Sequence, residues 1–219
     1  MCEDTLAQVL RKEVQVKVVC VEHGLDLTQS FGEPRPPGLH ISDFYNSYYK
    51  ALNPKKYGRG GDDPKDLWTL GMAFEDMLEK GFQERLTLAE GSGRPGALKV
   101  TIDGHDVWYS PDLLIFNGKT RLGEIKLTFM SPKGHFPWAL GKVYDGFGSK
   151  ADKYLTQMKL YCKCLGTRDA RLYAFFVPEA IKATGKALRA WDIRFTQREI
   201  NEEWDTIMRH VKQEGLLNG

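Results

Sequence analysis

Cysteine is scarce in this chain, acidic and basic residues nearly cancel, and no extended apolar stretch occurs. The four cysteines, at positions 2, 20, 162 and 164, are too few and too scattered for the disulfide framework of a small secreted domain. They form no zinc knuckle either, because Cys162-Lys163-Cys164 lacks the usual gap and has no second pair. No apolar stretch approaches the roughly 20 residues a membrane span requires, so no membrane association is expected. The start, MCEDTLAQVL, has neither the basic beginning nor the apolar stretch of a signal peptide, and an intracellular location is the expectation. Against 31 Lys and Arg stand 29 Asp and Glu, a net +2, which excludes a uniformly basic nucleic-acid-coating protein. Local basic patches such as Lys150 with Lys153 remain.

What is present suits one sizeable core: 219 residues, 42% of them hydrophobic, with no repeat or linker to divide them. EVQVKVVCVE (13–22) reads as a strand. SDFYNSYYKAL (42–52) reads as an aromatic helix capped by Ser42-Asp43 and stopped at Asn53-Pro54. Asp63-Pro64 open a further helix whose apolar positions Leu67, Leu70, Phe74, Met77 and Leu78 recur at helical spacing. Glu75 lies at the edge of that stripe, where it either points along the core or is a solvated helix glutamate.

ALKVTI and DVWY flank Asp103-Gly104, a hairpin turn dipeptide, and lead into a second hairpin from Tyr109 to Thr128 with Asn117-Gly118 at its turn. These strands are expected to form one meander. A Gly-, Pro- and aromatic-rich loop follows, carrying Phe136, Trp138, Tyr144 and Phe147, which would either stack on bases or pin the loop to the core. Residues 149–165 form an amphipathic helix with Tyr154, Gln157 and Tyr161 on one face. ARLYAFFVP and LRAWDIRF read as strands, the latter toward a sheet edge. The last helix begins at Thr196, with Glu199 three residues on, a capping box.

The second hairpin carries charge where a half-buried hairpin favours neutral residues. Asp112 starts its first strand, and the period of two puts Glu124 and Lys126 on one face of the second. Two readings are open. Asp112 and Glu124 are hard oxygen ligands suited to Mg²⁺ or Mn²⁺, with Lys126 placed to orient or help deprotonate a water. Alternatively, Glu124 and Lys126 are a solvated same-face pair worth a few tenths of a kcal/mol.

Taken together, Pro111-Asp112 followed by Glu124-Ile125-Lys126, Gly71 through Glu75 upstream, and Gln157 with Tyr161 downstream resemble the PD-(D/E)XK nuclease superfamily. Within it they are similar to the RecB-like, lambda-exonuclease-like branch common in phage. The resemblance covers roughly residues 40–210 and implies a single nuclease domain, 1–219, in which 1–39 is an N-terminal extension whose role it leaves open. It also implies an α/β, restriction-endonuclease-like fold with a mixed central sheet of about five strands flanked by helices. The activity implied is that of a Mg²⁺-dependent deoxyribonuclease, an exonuclease of DNA recombination, repair or phage DNA processing, in a bacterial or host cytoplasm. A structure- or sequence-selective endonuclease of the same fold and a non-catalytic DNA-binding protein are the alternatives.

In that reading Asp112, Glu124 and Lys126 are catalytic. One or two Mg²⁺ or Mn²⁺ ions are held by Glu75, Asp112, Glu124 and the backbone carbonyl of Ile125, and the DNA meets Gln157, Tyr161, Lys150, Lys153 and Tyr154. DNA is the implied partner; a recombination or single-strand-binding protein and a homo-oligomer are left open. The aromatic helix resembles the segment that ends in Cys-Pro in iron–sulfur members, but Asn53 stands in place of that cysteine. No iron–sulfur cluster is expected.

Overall fold

In the computed structural model of the protein, the residues described are 36–57, 71, 73–74, 77, 95–116, 118–129, 150–182 and 187–217. The strand expected at 13–22, Glu75 and the aromatic loop at 131–148 lie outside them.

The described elements run β1 (Leu39–His40), α1 (Ile41–Leu52), α2 (Pro54–Tyr57), β2 (Leu98–Ile102), β3 (His105–Tyr109), β4 (Leu113–Phe116), β5 (Thr120–Thr128), α3 (Lys150–Leu165), β6 (Asp169–Phe176), α4 (Val177–Ile181), β7 (Leu188–Arg194) and α5 (Gln197–Gln213). Helix α1 opens at His40, whose extended backbone (φ −129°, ψ 143°) starts it without a side-chain cap. This differs from the expected Ser42-Asp43 cap, because the chain leaves β1 straight into the helix and those two residues fall in its first turn. Its buried positions Ile41, Phe44, Tyr45 and Tyr49 recur at helical spacing, the stripe a surface helix turns inward.

The described strands form two sheets, one of three strands in the order β1-β3-β2 and one of four in the order β4-β5-β6-β7. Both are mixed: β1 runs parallel to β3 and β5 parallel to β6, while the other pairs are antiparallel. The mixed α/β class is therefore as the resemblance implies, with the strands shared between two sheets instead of joined in one meander. The break falls at Ser110-Pro111-Asp112, where Pro111 has no N–H to offer a ladder and restricts the residue before it. The β2–β3 turn uses Asp103 (φ 49°) and Gly104 (φ 84°), the two positive φ angles that a tight hairpin turn demands. In the β4–β5 hairpin Phe116 pairs with Thr120, so positions 117–119 lie between the strands where a two-residue turn is expected.

Pleating sorts the four-stranded sheet into two faces. Leu122 opposes Ala170, Glu124 opposes Leu172 and Thr128 opposes Phe176, so these share one face. That face packs with Met158 of α3, Ile200 and Ile207 of α5, and Ile41 and Phe44 of α1. The other face gathers Leu113, Ile125 and Tyr173 around Phe74, whose ring lies 4.8 Å from that of Phe175. Residues 71, 73, 74 and 77 are helical, as the periodicity around Phe74 predicts. Fully buried Leu113, Leu122, Leu172 and Ile207 each contribute on the order of 1.5–3 kcal/mol by leaving water. At Gly123 a Cβ would stand 2.8 Å from the Leu113 Cβ, so the absence of a side chain is what lets β4 approach β5 this closely.

Candidate active site

Asp112 immediately precedes β4, and since Leu113 pairs with Gly123, one further step along the pairing sets it opposite Glu124. The strand ladder ends there. The backbone N–H of Ile125 donates instead to Asp112 Oδ2, at 2.7 Å, so a side chain takes over where β4 stops. A residue in an extended strand sends its N–H and C=O to the same edge, which directs the Ile125 carbonyl toward the edge where Asp112 sits.

Lys126 closes the cluster. Its Nζ forms an ion pair with Glu124 Oε1 and lies 3.8 Å from Asp112 Oδ2. Burial differs across the three groups: the side chain of Glu124 is 0% exposed, against 13% for Asp112 and 18% for Lys126. A carboxylate so deep is unfavourable unless charge and hydrogen bonds compensate it, and Lys126 supplies charge of the opposite sign. Two carboxylates and one ammonium leave the cluster formally negative.

Aromatic residues surround this point. Lys126 Nζ lies over the Tyr154 ring of α3, at 5.5 Å, within range of a cation–π contact. Tyr161, on the same helix, is 4% exposed. Burial pushes its hydroxyl well above the usual tyrosine range, with Tyr45 and the charges of Glu124 and Asp112 adding to the rise and Lys126 opposing it. Tyr45 of α1 behaves alike: burial raises its hydroxyl, Lys126 draws it down, and Glu124 and Asp112 push it up. Both therefore remain neutral donors beside the cluster. Tyr45 is absent from the residues the sequence points to. Its one signal is the i, i+4 spacing with Tyr49 on α1, which marks a buried stripe and says nothing of what the stripe faces.

A polar seam ties together the helices that carry these tyrosines. Tyr49 Oη and Thr156 Oγ1 are 3.1 Å apart, Thr156 donates to Glu203 Oε1 at 2.6 Å, and Lys159 donates to Glu203 Oε2 at 2.9 Å. The first contact joins α1 to α3, and the others join α3 to α5. Gln157 is buried on α3, 9% exposed, between Tyr154 and Tyr161 in the helix. Lys153 Nζ sits 5.8 Å from the Tyr45 ring centre, and Lys150 is the first residue of α3. Cys162 and Cys164 are free thiols on the same helix, each pushed up to about 12, chiefly by burial, so they stay protonated.

Of the residues singled out from sequence, the structure thus joins Asp112, Glu124, Ile125, Lys126 and Tyr154 and sets Tyr161 in their field. Glu75 lies outside the described residues. Among the described residues no group of three or more His, Cys, Asp or Glu is arranged to hold a metal. Asp112, Glu124 and the Ile125 carbonyl nonetheless make a hard oxygen set of negative charge that fits Mg²⁺ or Mn²⁺. Mg²⁺ ordinarily takes one or two carboxylates and fills its remaining positions with water and substrate oxygens. No described helix is long and apolar enough to cross a membrane.

No family model matches the chain, and no curated protein matches it. Among solved structures, that of SSO0001 is 12% identical, with a TM-score of 0.44 over 90% of this chain and 85% of that one. The alkaline exonuclease LHK-Exo from Laribacter hongkongensis is 16% identical, with a TM-score of 0.41 over 80% of this chain and 88% of its own. Its complex with dAMP matches at 15% identity and a TM-score of 0.41. Likenesses this distant say nothing of what this chain does, and the functional reading rests on the cluster itself.

Proposed function

We propose that the protein is a metal-dependent nuclease that hydrolyses DNA phosphodiester bonds at the Asp112, Glu124 and Lys126 cluster, acting as an exonuclease. The observation that carries this reading is the fully buried Glu124 held beside Lys126 and Asp112 where β4 ends against the middle of β5. A solvated surface pair would not sit at zero exposure.

Asp112, Glu124 and the Ile125 carbonyl are the groups that would hold Mg²⁺ or Mn²⁺, joined by Glu75. Such an ion, when bound, neutralises charge on the phosphoryl group and acidifies water. The chain's own residues do the rest. Lys126, an ammonium with three donors, holds and orients the attacking water while Tyr154 fixes its direction. Hydrolysis forms a bond from that water's oxygen to phosphorus, breaks the bond to the leaving sugar oxygen, and delivers a proton to that oxygen. Asp112, gripping the Ile125 N–H, keeps the end of β4 in register with β5 as charge builds. Tyr161 and Gln157, both buried, brace the site from α3. Lys153, with Lys150 at the start of that helix, meets the phosphates of the DNA strand.

The test is one gel. End-labelled single- and double-stranded DNA and a covalently closed circle are incubated with Mg²⁺ or with EDTA. Mg²⁺-dependent loss of linear DNA with the circle intact supports the reading. Nicking of the circle replaces exonuclease by endonuclease action, and absence of cleavage under every condition removes the enzyme reading.

A further inference from the structure

Among the described residues, Lys126 within the cluster and Lys153 of α3 each sit on the ring of a tyrosine. Lys126 lies over Tyr154, at 5.5 Å, and Lys153 lies over Tyr45, at 5.8 Å. The two pairs interlock, since Lys153 and Tyr154 are consecutive residues of α3 while Lys126 comes from β5 and Tyr45 from α1. Lys126 is engaged by Glu124 and lies near Asp112, so its charge is directed into the cluster. Lys153 is held on the other tyrosine, and an ammonium has donors enough to serve a phosphate beside its other contacts.

We propose that Tyr45 is a positioning residue: its buried ring holds the Lys153 ammonium beside the catalytic cluster, where it contacts the phosphate next to the one being cut. This rests on the nuclease reading and divides the work between the lysines. Lys126 acts in the chemical step and Lys153 in substrate binding. Tyr45 is 7% exposed, so its ring is fixed by the packing of α1 and offers Lys153 a rigid face. A lysine on a flexible stem loses rotamer freedom when it binds a phosphate; one already seated on a ring has lost part of it beforehand.

The experiment is steady-state cleavage of an end-labelled DNA with Mg²⁺, comparing Lys153→Gln, Tyr45→Leu, Tyr45→Phe and the double variant Lys153→Gln with Tyr45→Leu. Tyr45→Leu is expected to raise KM about five-fold, the scale of a cation–π contact, with a much smaller change in kcat. Lys153→Gln raises KM at least as far, the double variant rises no further than Lys153→Gln, and Tyr45→Phe stays close to wild type because the ring remains. An unchanged KM in Tyr45→Leu, or a loss that adds in full to that of Lys153→Gln, overturns the proposal.

A second measurement needs no stable Tyr45→Leu protein. In the wild type the ε-methylene protons of Lys153, assigned by their disappearance in Lys153→Gln, are shifted upfield by the Tyr45 ring; an ordinary lysine shift overturns the pairing. A wild type with no Mg²⁺-dependent cleavage defeats the nuclease reading instead, and the proton shift still decides whether Tyr45 holds Lys153.

Discussion

Replacing Lys126 with methionine keeps most of the side chain's length and removes its ammonium. From the sequence alone, loss of this ammonium by Lys126→Ala reads as a change that abolishes catalysis and leaves folding largely intact. The burial of Glu124 alters that expectation. Its carboxylate is 0% exposed and its Oε1 is paired with Lys126, itself 18% exposed. Removing one partner of a buried pair costs roughly 3–5 kcal/mol, because the remaining charge stays in a poorly solvated place. Since Lys126 reaches some solvent, the lower end applies, about 3 kcal/mol. In a chain of this size that lowers the melting temperature by about 6–12 °C. The assay is thermal unfolding followed by circular dichroism in mildly alkaline buffer with EDTA, for wild type, Lys126→Met and the double variant Lys126→Met with Glu124→Gln. The double variant should recover most of the loss, since a neutral amide no longer needs the ammonium. A Lys126→Met protein that melts together with wild type would show that Lys126 does not stabilise a buried charge.

Three further outcomes follow from the same structure. Gly123→Ala places a Cβ against Leu113, at 2.8 Å, and should destabilise by about 1–3 kcal/mol through overpacking, read from chemical denaturation. Thr196→Ala removes the side chain that accepts the Glu199 N–H of α5 and should cost about 1 kcal/mol in the same measurement. Glu199 is held below the usual carboxylate range by the Thr196 backbone N–H and then by the Thr196 hydroxyl. A carboxylate lowered in the folded state stabilises above its ordinary value and loses that contribution as pH falls through the lowered one. Glu199→Gln should therefore be less stable than wild type at neutral pH and converge with it in acid; a constant gap across the range would contradict the assignment.

Much of this architecture is legible in local pattern. Alternation places Glu124 and Lys126 on one face of β5, the Asp103-Gly104 dipeptide marks a hairpin turn, and Thr196 with Glu199 announces the start of α5. Depth is not legible, because a period of two gives the face of a strand and not how thickly helices cover it. Glu124 is fully buried while Lys126, two residues on, is not. The division into two sheets turns on how the chain bends at Pro111, which a string of strand-forming residues does not disclose. Nor does a helical stripe say what it packs against. Tyr45 and Tyr49 stand out as an i, i+4 pair, but only the packing of α1 against α3 shows that Tyr45 faces Lys153 while Tyr49 meets Thr156.

The nuclease reading depends above all on Asp112 and Glu124 holding a divalent cation. Calorimetric titration of Mn²⁺ into wild type and into Asp112→Asn answers this without any choice of DNA. The expected result is a saturable isotherm for the wild type that is weakened at least about ten-fold in Asp112→Asn, the scale of losing one charged ligand contact. No binding heat in the wild type, or the same isotherm in both proteins, would mean that these carboxylates are not metal ligands.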